Sequence, residues 1–283
     1  MSARYLVVDV FARAPLEGNG LAVFPDPGAV DPILMQKVAR EINLSETTFV
    51  TGVDAKGYDV RIFTPSDELP FAGHPTIGTA WVLGRHLQLL RGNETVQRSA
   101  AGTTRVTFDD ERVWLERAGS DGGDLDDVVE MLDLLGLGDK DVGFDARAMG
   151  GREGLLQPAV TDVGVKQLML PVASPSIVAS LRAPNHVPYA DGVYCFAPLG
   201  PGRVKARFFA PGIGVSEDPA TGSAATGLGV YLGRRAGEIS FEIEQGAEIA
   251  RPSFISVEAR DGSARVGGEV RLFAEATLRA QQC

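Results

Sequence analysis

The sequence has little of the chemistry that marks several common protein classes. Its 283 residues include two cysteines and three histidines. Cys195 and Cys283 are too far apart for a disulfide framework or a metal-ligand pair, which favours a reducing compartment. His74, His86 and His186 show no ligand spacing either. We therefore expect no metal site and no cofactor.

Signatures of nucleotides, nucleic acids and membranes are also missing. Gly212 and Gly214 lack the third glycine of a dinucleotide fingerprint, and no phosphate-binding Gly-Lys-Ser/Thr loop occurs. The formal net charge is −10 and no run of Lys and Arg appears, which argues against a nucleic-acid partner. No apolar stretch approaches membrane-spanning length, and Asp9 interrupts the apolar N-terminal run. We expect a soluble cytoplasmic protein with no membrane contact.

Two Gly-rich stretches organise the chain, and the first resembles the second. In each, an apolar strand pattern ends in Phe and Pro, a loop follows, and small residues begin a helix. Residues 61–65 lead to 73–84 in this way, and residues 207–211 lead to 222–233. The helix positions match at one constant offset: Gly73 with Gly222, Gly78 with Gly227, Leu83 with Leu232, and Gly84 with Gly233. A repeat over half of the chain predicts two similar lobes, each with one strand-loop-helix unit.

The length also fits two domains. The Gly-rich stretch 119–124 is the best linker, so we predict an N-terminal lobe at 1–118 and a C-terminal lobe at 119–267. The C-terminal strand, 268–283, could return to either lobe. The alternation of strand and helix patterns predicts an α+β protein. Strands are predicted at 5–11, 21–24, 47–51, 58–63, 105–108, 113–116, 167–172, 193–197, 204–209, 241–243, 254–259 and 267–273. Helices are predicted at 31–43, 74–84, 125–136, from Ser174 through Leu181, and from Gly222.

Glu46 is a candidate for proton transfer. It completes Asn43-Leu-Ser-Glu46, which matches a capping box. A helix precedes it, however, and a strand pattern follows, so a capping box is disfavoured. A carboxyl group at a helix-to-strand junction between apolar residues loses hydration, which raises its pKa toward the range useful for catalysis. A solvated loop glutamate is the alternative.

Three further side chains lie near the Gly-rich helix starts. His74 is either a simple helix cap or a group that contacts a ligand at the helix N-terminus, where backbone N–H groups attract anions. Ser223 is either an N-cap or a donor to a substrate carboxylate. Asp218, next to Glu217, lies in a loop of turn-forming residues, where it is either solvated or orients the substrate.

Taken together, these motifs resemble the phenazine-biosynthesis isomerase (PhzF-like) family. They occur in family order and extend over nearly the whole chain. The matching stretches are Asp9 to Asn19, Asn43-Leu-Ser-Glu46-Thr-Thr-Phe, Arg61 to Pro65, Glu68 to Pro75, Glu217-Asp-Pro-Ala-Thr-Gly-Ser223-Ala-Ala, and Glu248-Ile-Ala-Arg-Pro-Ser253.

The resemblance implies a diaminopimelate-epimerase-like fold. Such a fold has two pseudo-symmetric lobes, each a curved, mostly antiparallel sheet or barrel around a central helix, with the active site between them. It implies that Glu46 moves a proton between two carbons of a small carboxylate substrate. The other matching groups are His74, Asp218 and Ser223 by side chain, and Gly73 and Gly222 by backbone N–H. It also implies a homodimer.

Related racemases place one catalytic Cys on each lobe, and the resemblance sets Ala72 and Thr221 at those positions. A two-thiol mechanism is therefore disfavoured, which leaves a cofactor-independent acid/base isomerase as the expected function. The alternative is a non-catalytic protein that binds small carboxylates or a partner in the retained cleft. Retention of Glu46 favours the enzyme, because anion binding gains nothing from a carboxylate.

Overall fold

The chain folds into two compact units. A computed structural model describes residues 2–125 and 127–279. Unit 1 comprises Met1–Leu115 and Gly267–Cys283, and unit 2 comprises Glu116–Val266. Among the described residues, no helix is long and apolar enough to cross a membrane.

Strands outnumber helices in both units. The first eight strands are β1 (Ser2–Val10), β2 (Asn19–Phe24), β3 (Glu46–Val53), β4 (Gly57–Phe63), β5 (Glu68–Leu69), β6 (Glu94–Ser99), β7 (Gly102–Asp109) and β8 (Arg112–Ala118). The others are β9 (Ser120–Asp124), β10 (Phe144–Asp145), β11 (Leu155–Leu156), β12 (Ala159–Asp162), β13 (Lys166–Pro171), β14 (Gly192–Gly200), β15 (Arg203–Ala210), β16 (Val215–Asp218), β17 (Ile239–Gln245), β18 (Ser253–Arg260) and β19 (Ser263–Arg279). The α-helices are α1 (Met35–Ile42), α2 (Gly73–Trp81), α3 (Val129–Leu135), α4 (Pro175–Ser180) and α5 (Gly222–Ala236).

In unit 1, the strands form one curved sheet around α2. β1 pairs antiparallel with both β2 and β19, β2 runs parallel to β3, and β3 pairs antiparallel with β4. β4 runs parallel to β6, and antiparallel pairings continue from β6 through β7 to β8. β8 also pairs with β19, which closes the sheet into a barrel.

The two helices of unit 1 pack on opposite faces of this sheet. Helix α1 covers an aromatic cluster that includes Phe24, Phe49 and Phe63. Helix α2 contacts β1, β2, β3 and β6, and its residues Gly73 to Ala80 are buried. A Cβ at Gly78 would lie 2.6 Å from Leu21, so glycine permits this close helix-to-sheet packing. A strand that is covered on both faces is apolar at every position, and β2 has this pattern from Leu21 to Phe24.

In unit 2, a second series of strands surrounds α5. The paired order is β9, β12, β13, β14, β15, β17 and β18. The β13–β14 and β15–β17 pairs are parallel and the others are antiparallel. Helix α5 contacts β9, β12, β13, β17 and β18, and its run of small residues is buried almost completely. Helices α3 and α4 cover the outer face of β13 to β15.

Most of the predicted elements are confirmed, and the differences have local causes. The linker predicted at 119–124 is wrong, because 120–124 form β9, which pairs with β12. The helix that begins at Gly73 does not end at Gly84 but continues as a π-helical turn over Val82–His86. Helix α1 begins at Met35, because residues 31–34 form a separate turn in which the Asp31 side chain accepts a hydrogen bond from the Ile33 N–H. The periodicity also missed β6 and β12 and the short strands β5, β10, β11 and β16.

Candidate functional site

Glu46 is placed by the sharp reversal at the end of α1. Asn43 adopts a left-handed conformation with φ 55° and ψ 33° and ends the helix. Glu46 then opens β3, where it pairs with Leu21 of the parallel strand β2. Because Glu46 begins a strand, the capping-box interpretation is wrong. The side chain is 16% exposed, so it is partly withdrawn from water.

His74 lies against Glu46. It is the second residue of α2 and not its cap, and its Nε2 is 3.2 Å from Oε2 of Glu46. The ring also makes a hydrogen bond with the backbone of Gly20. Gly20 precedes Leu21, the register partner of Glu46, so strands β2 and β3 and helix α2 each contribute one member of this group.

The protonation of His74 follows from its burial. Removal from water lowers the pKa of His74 to about 3, against an ordinary value of 6.5. The hydrogen bond to the Gly20 backbone raises the pKa of His74 and so opposes this shift. A bond that favours the protonated ring is one in which the ring donates, so its acceptor is the Gly20 carbonyl oxygen. Nε2 has no hydrogen bond of good geometry, so Nδ1 is the nitrogen that donates to Gly20. In the neutral ring, Nε2 therefore presents a lone pair to Glu46.

Asp218 ends β16 in unit 2 and is held by a chain of polar side chains. The Thr221 hydroxyl donates to Oδ2 of Asp218 at 2.6 Å. The amide of Gln245 donates to Oγ1 of Thr221 at 3.0 Å and to the backbone oxygen of Asp218 at 2.8 Å. Tyr194 donates in turn to Oε1 of Gln245 at 2.8 Å. Thr221, Gln245 and Tyr194 are all buried, so this arrangement is fixed by packing as well as by hydrogen bonds.

Ser223 lies in the first turn of α5 and contacts the buried side chain of Gln167. Its Oγ is 2.9 Å from the Gln167 amide group. With the amide oxygen toward Ser223, that oxygen accepts from both the hydroxyl and the Ala224 N–H, and the amide nitrogen donates to the Ser223 carbonyl. The N-cap position belongs to Thr221, so the N-cap interpretation of Ser223 is wrong.

Neither of the two Gly-rich helices is capped by the side chain of its N-cap residue. Ala72 precedes Gly73 at the start of α2, and Thr221 precedes Gly222 at the start of α5; neither bonds the first-turn N–H groups through its side chain. Uncapped helix N-termini present N–H donors and the positive end of the helix dipole, which suits an anionic ligand group.

Glu217 belongs to the scaffold of unit 2. Its carboxylate makes two hydrogen bonds with Arg207, at 2.8 and 2.6 Å, and both side chains are nearly inaccessible. Arg207 also donates to the carbonyl oxygens of Val178, Ala179 and Leu181 at the end of α4. The neighbouring acids therefore differ in role, because Glu217 fixes the strand on which Asp218 lies.

Sequence reasoning missed Gly20, Gln167, Gln245 and Tyr194. Single polar residues in strand patterns carry no local signal, and their partners are distant in sequence. Cys195 is buried in β14, where burial raises the pKa of its thiol, and Cys283 lies outside the described residues. Within residues 2–125 and 127–279, no three His, Cys, Asp or Glu side chains are grouped closely enough to hold a metal ion.

Comparison with known proteins places these features in a family. The family model described as "Phenazine biosynthesis-like protein" matches residues 8–278. The chain belongs to the phenazine biosynthesis-like (PhzF) family. It is 37% identical to trans-2,3-dihydro-3-hydroxyanthranilate isomerase of Pseudomonas fluorescens over 267 residues, with 90% of each chain covered. The chain is an isomerase of this family.

Solved structures agree on the fold. A PhzF-family protein of Enterococcus faecalis superposes with a TM-score of 0.81 and 25% identity, with 99% of this chain and 100% of that chain covered. A hydroxyproline epimerase of Agrobacterium vitis superposes with a TM-score of 0.60 and 13% identity, with 98% of this chain and 92% of that chain covered. The fold of this PhzF-family chain is thus shared with racemases and epimerases.

Proposed function

We propose that this isomerase moves a proton between two carbons of a small carboxylate substrate without a cofactor, and that Glu46 carries the proton. The observation that supports the proposal is the partly buried Glu46 with His74 at 3.2 Å. Ionised Glu46 removes a proton from carbon, so a C–H bond breaks, an O–H bond forms, and the electron pair stays on the substrate. The acid form of Glu46 then returns the proton to a second carbon.

His74 supports the middle of this cycle. Neutral Nε2 presents a lone pair, which favours a carboxylic acid at Glu46 and disfavours a carboxylate. The acid form exists between proton removal and proton return. His74 therefore stabilises Glu46 at the stage at which the substrate carries the developing negative charge.

The helix starts are the proposed anion-binding groups. We assign the backbone N–H groups of Gly73 and Gly222 to a substrate carboxylate and to the charge that develops beside it. The hydroxyl of Ser223 joins them when it turns from Gln167 to the ligand. Asp218 accepts a hydrogen bond from the substrate and orients it. Thr221 does not compete for the first-turn N–H groups, because its hydroxyl is directed to Asp218.

Solvent deuterium wash-in tests this function. The first compound is trans-2,3-dihydro-3-hydroxyanthranilate, which the Pseudomonas relative is named for, followed by a panel of cyclic and amino-acid-like carboxylates. Mass spectrometry and NMR detect the exchange. We expect deuterium to replace hydrogen on a carbon atom of at least one compound. A compound that binds in calorimetry but exchanges no hydrogen would instead favour the non-catalytic carboxylate-binding alternative.

We further propose that the two units are related halves of a pseudo-symmetric protein, with lobe boundaries near 118 and 267. In unit 1 the parallel pair β4–β6 is connected through short strand β5 and buried helix α2. In unit 2 the parallel pair β15–β17 is connected through β16 and buried helix α5. The ion pairs Arg61–Glu68 and Arg207–Glu217 occupy matching places in this repeat.

Two further properties rest on the sequence: the homodimer on the resemblance, and the location on the low cysteine content. We propose a homodimer, which light scattering at micromolar concentration tests, because a monomer mass would contradict it. We propose a cytoplasmic location, for which cell fractionation is the measurement.

A further inference from the structure

The hydrogen bonds around Asp218 have a single consistent direction. The backbone oxygen of Asp218 only accepts, so the amide nitrogen of Gln245, and not its oxygen, faces it at 2.8 Å. The same nitrogen donates to Thr221, so it occupies a lone pair of that hydroxyl. The one hydroxyl proton of Thr221 is then left for Oδ2 of Asp218, 2.6 Å away.

Tyr194 lies at the other end of this series of hydrogen bonds. Its hydroxyl donates to Oε1 of Gln245 at 2.8 Å and thereby holds the amide in one orientation. Burial, and then the charge of Asp218, raise the pKa of Tyr194 well above its ordinary value. The hydroxyl therefore remains a donor over the whole working pH range.

This series of hydrogen bonds ends at Oδ2 of Asp218, which accepts the bond from Thr221. An ionised carboxylate oxygen accepts with both lone pairs, and a hydrogen bond to the charged form favours that form. We propose that Gln245 is a positioning residue that, through Thr221, holds the Asp218 side chain as an ionised hydrogen-bond acceptor in one orientation. The proposal rests on the proposed function only in so far as Asp218 takes part in the reaction.

Two acidic side chains, one on β16 and one after β17, are paired with cations of β15. Glu217 on β16 is neutralised by Arg207 of β15. Glu248, in the loop after β17, lies 2.6 Å from Lys205 of β15. Tyr194 on β14 is a titratable neighbour of Asp218 and stays neutral. Loss of the direct donor from Thr221 should therefore disfavour the ionised form of Asp218.

Unit 1 contains a matched control. Tyr58 donates to Gln97 at 3.0 Å, Gln97 donates to Thr76 at 2.9 Å, and the Thr76 hydroxyl donates to the backbone oxygen of Ala72 at 2.8 Å. The succession of side chains is the same, and these residues are also buried. This chain ends on a backbone carbonyl, which does not titrate.

The experiment is a titration of the Asp218 side chain by carbon-13 NMR, in protein labelled at the aspartate carboxyl carbons and without any ligand. Asp218→Asn identifies the signal. Thr221→Val keeps the size of the side chain and removes the donor, and we expect the pKa of Asp218 to rise by about one unit. Gln245→Met removes the hydrogen bonds from the amide nitrogen to Thr221 and to the Asp218 backbone oxygen. This variant should raise the pKa of Asp218 by a smaller amount.

The control Gln97→Met should leave the Asp218 titration at its wild-type position. An Asp218 pKa unchanged in both Thr221→Val and Gln245→Met would overturn the proposal, as would an equal shift in Gln97→Met. If Gln245→Met does not fold, Thr221→Val and Tyr194→Phe decide the question. Because the titration needs no substrate, its result is independent of the deuterium wash-in that tests the proposed function.

Discussion

Nε2 of His74 lies 3.2 Å from Oε2 of Glu46 in unit 1, while the other ring nitrogen is bonded to the backbone of Gly20. A carboxylate at this distance favours a charged imidazolium ring, whereas burial favours the neutral ring. The pKa of His74 falls to about 3, so burial prevails. His74 is therefore neutral, and its Nε2 presents a lone pair toward Glu46.

Glu46→Gln should abolish proton transfer. The amide keeps the size and polarity of the side chain but cannot take a proton from carbon, so turnover should fall by about 10²-fold or more while binding is largely retained. The measurement is deuterium wash-in with the compound found to exchange. Glu41→Gln, on the exposed side of α1, is the control and should exchange at the wild-type rate. Near-normal exchange in Glu46→Gln would remove Glu46 from its role.

His74 should make folding stability depend on pH. Between about pH 3 and pH 6.5, the His74 ring carries a proton in the unfolded chain but not in the folded chain. The free energy of unfolding should therefore be highest above pH 6.5 and fall as the pH decreases toward 3. His74 contributes at most about 1.4 kcal/mol of this change per pH unit. Urea unfolding from pH 7 to pH 4 measures the slope.

The comparison for His74 uses two variants. His74→Gln should have a shallower slope over that range than the wild type. His186→Gln changes an exposed histidine and should keep the wild-type slope. Equal slopes in all three proteins would show that His74 is not held neutral.

Ser223→Ala should weaken binding of a carboxylate ligand. The lost hydroxyl contributes a charge-assisted hydrogen bond worth about 1.5 to 3 kcal/mol, and the helix N–H groups remain. Calorimetry with the exchanging compound gives the affinity. Ser180→Ala removes an exposed hydroxyl that donates to the carbonyl oxygen of Ile177, and this variant should bind as the wild type does. Full affinity in Ser223→Ala would place the ligand carboxylate elsewhere.

The two matching ion pairs should differ in their effect on stability. Glu217→Gln breaks a pair whose side chains are 8% and 9% exposed and leaves Arg207 charged and buried, which should cost about 3 to 5 kcal/mol. Glu68→Gln breaks the corresponding pair with Arg61, at 36% and 39% exposure, and should cost less than about 1 kcal/mol. Denaturant unfolding measures both. Similar losses would mean that burial does not distinguish the two pairs.

The local sequence determined the elements and the candidate residues. Asn43 before a β-branched run predicts the helix-to-strand reversal that places Glu46, and the structure has that reversal with Asn43 in the left-handed region. The small residues after Gly73 and Gly222 predict two tightly packed helices, and both are buried. These features depend on backbone preferences and side-chain size within a few residues, which the sequence states directly.

Only the tertiary structure decided which side chains meet. The contact of Glu46 with His74, and the chain from Tyr194 through Gln245 and Thr221 to Asp218, join residues far apart in sequence. The sequence could not separate Glu217 from Asp218, because their difference depends on Arg207, which lies on another strand. It also left the C-terminal strand open, and β19 pairs with β1. Strand register and burial set these contacts, and with them the charges, because hydration and hydrogen-bond partners exist only once the chain has folded.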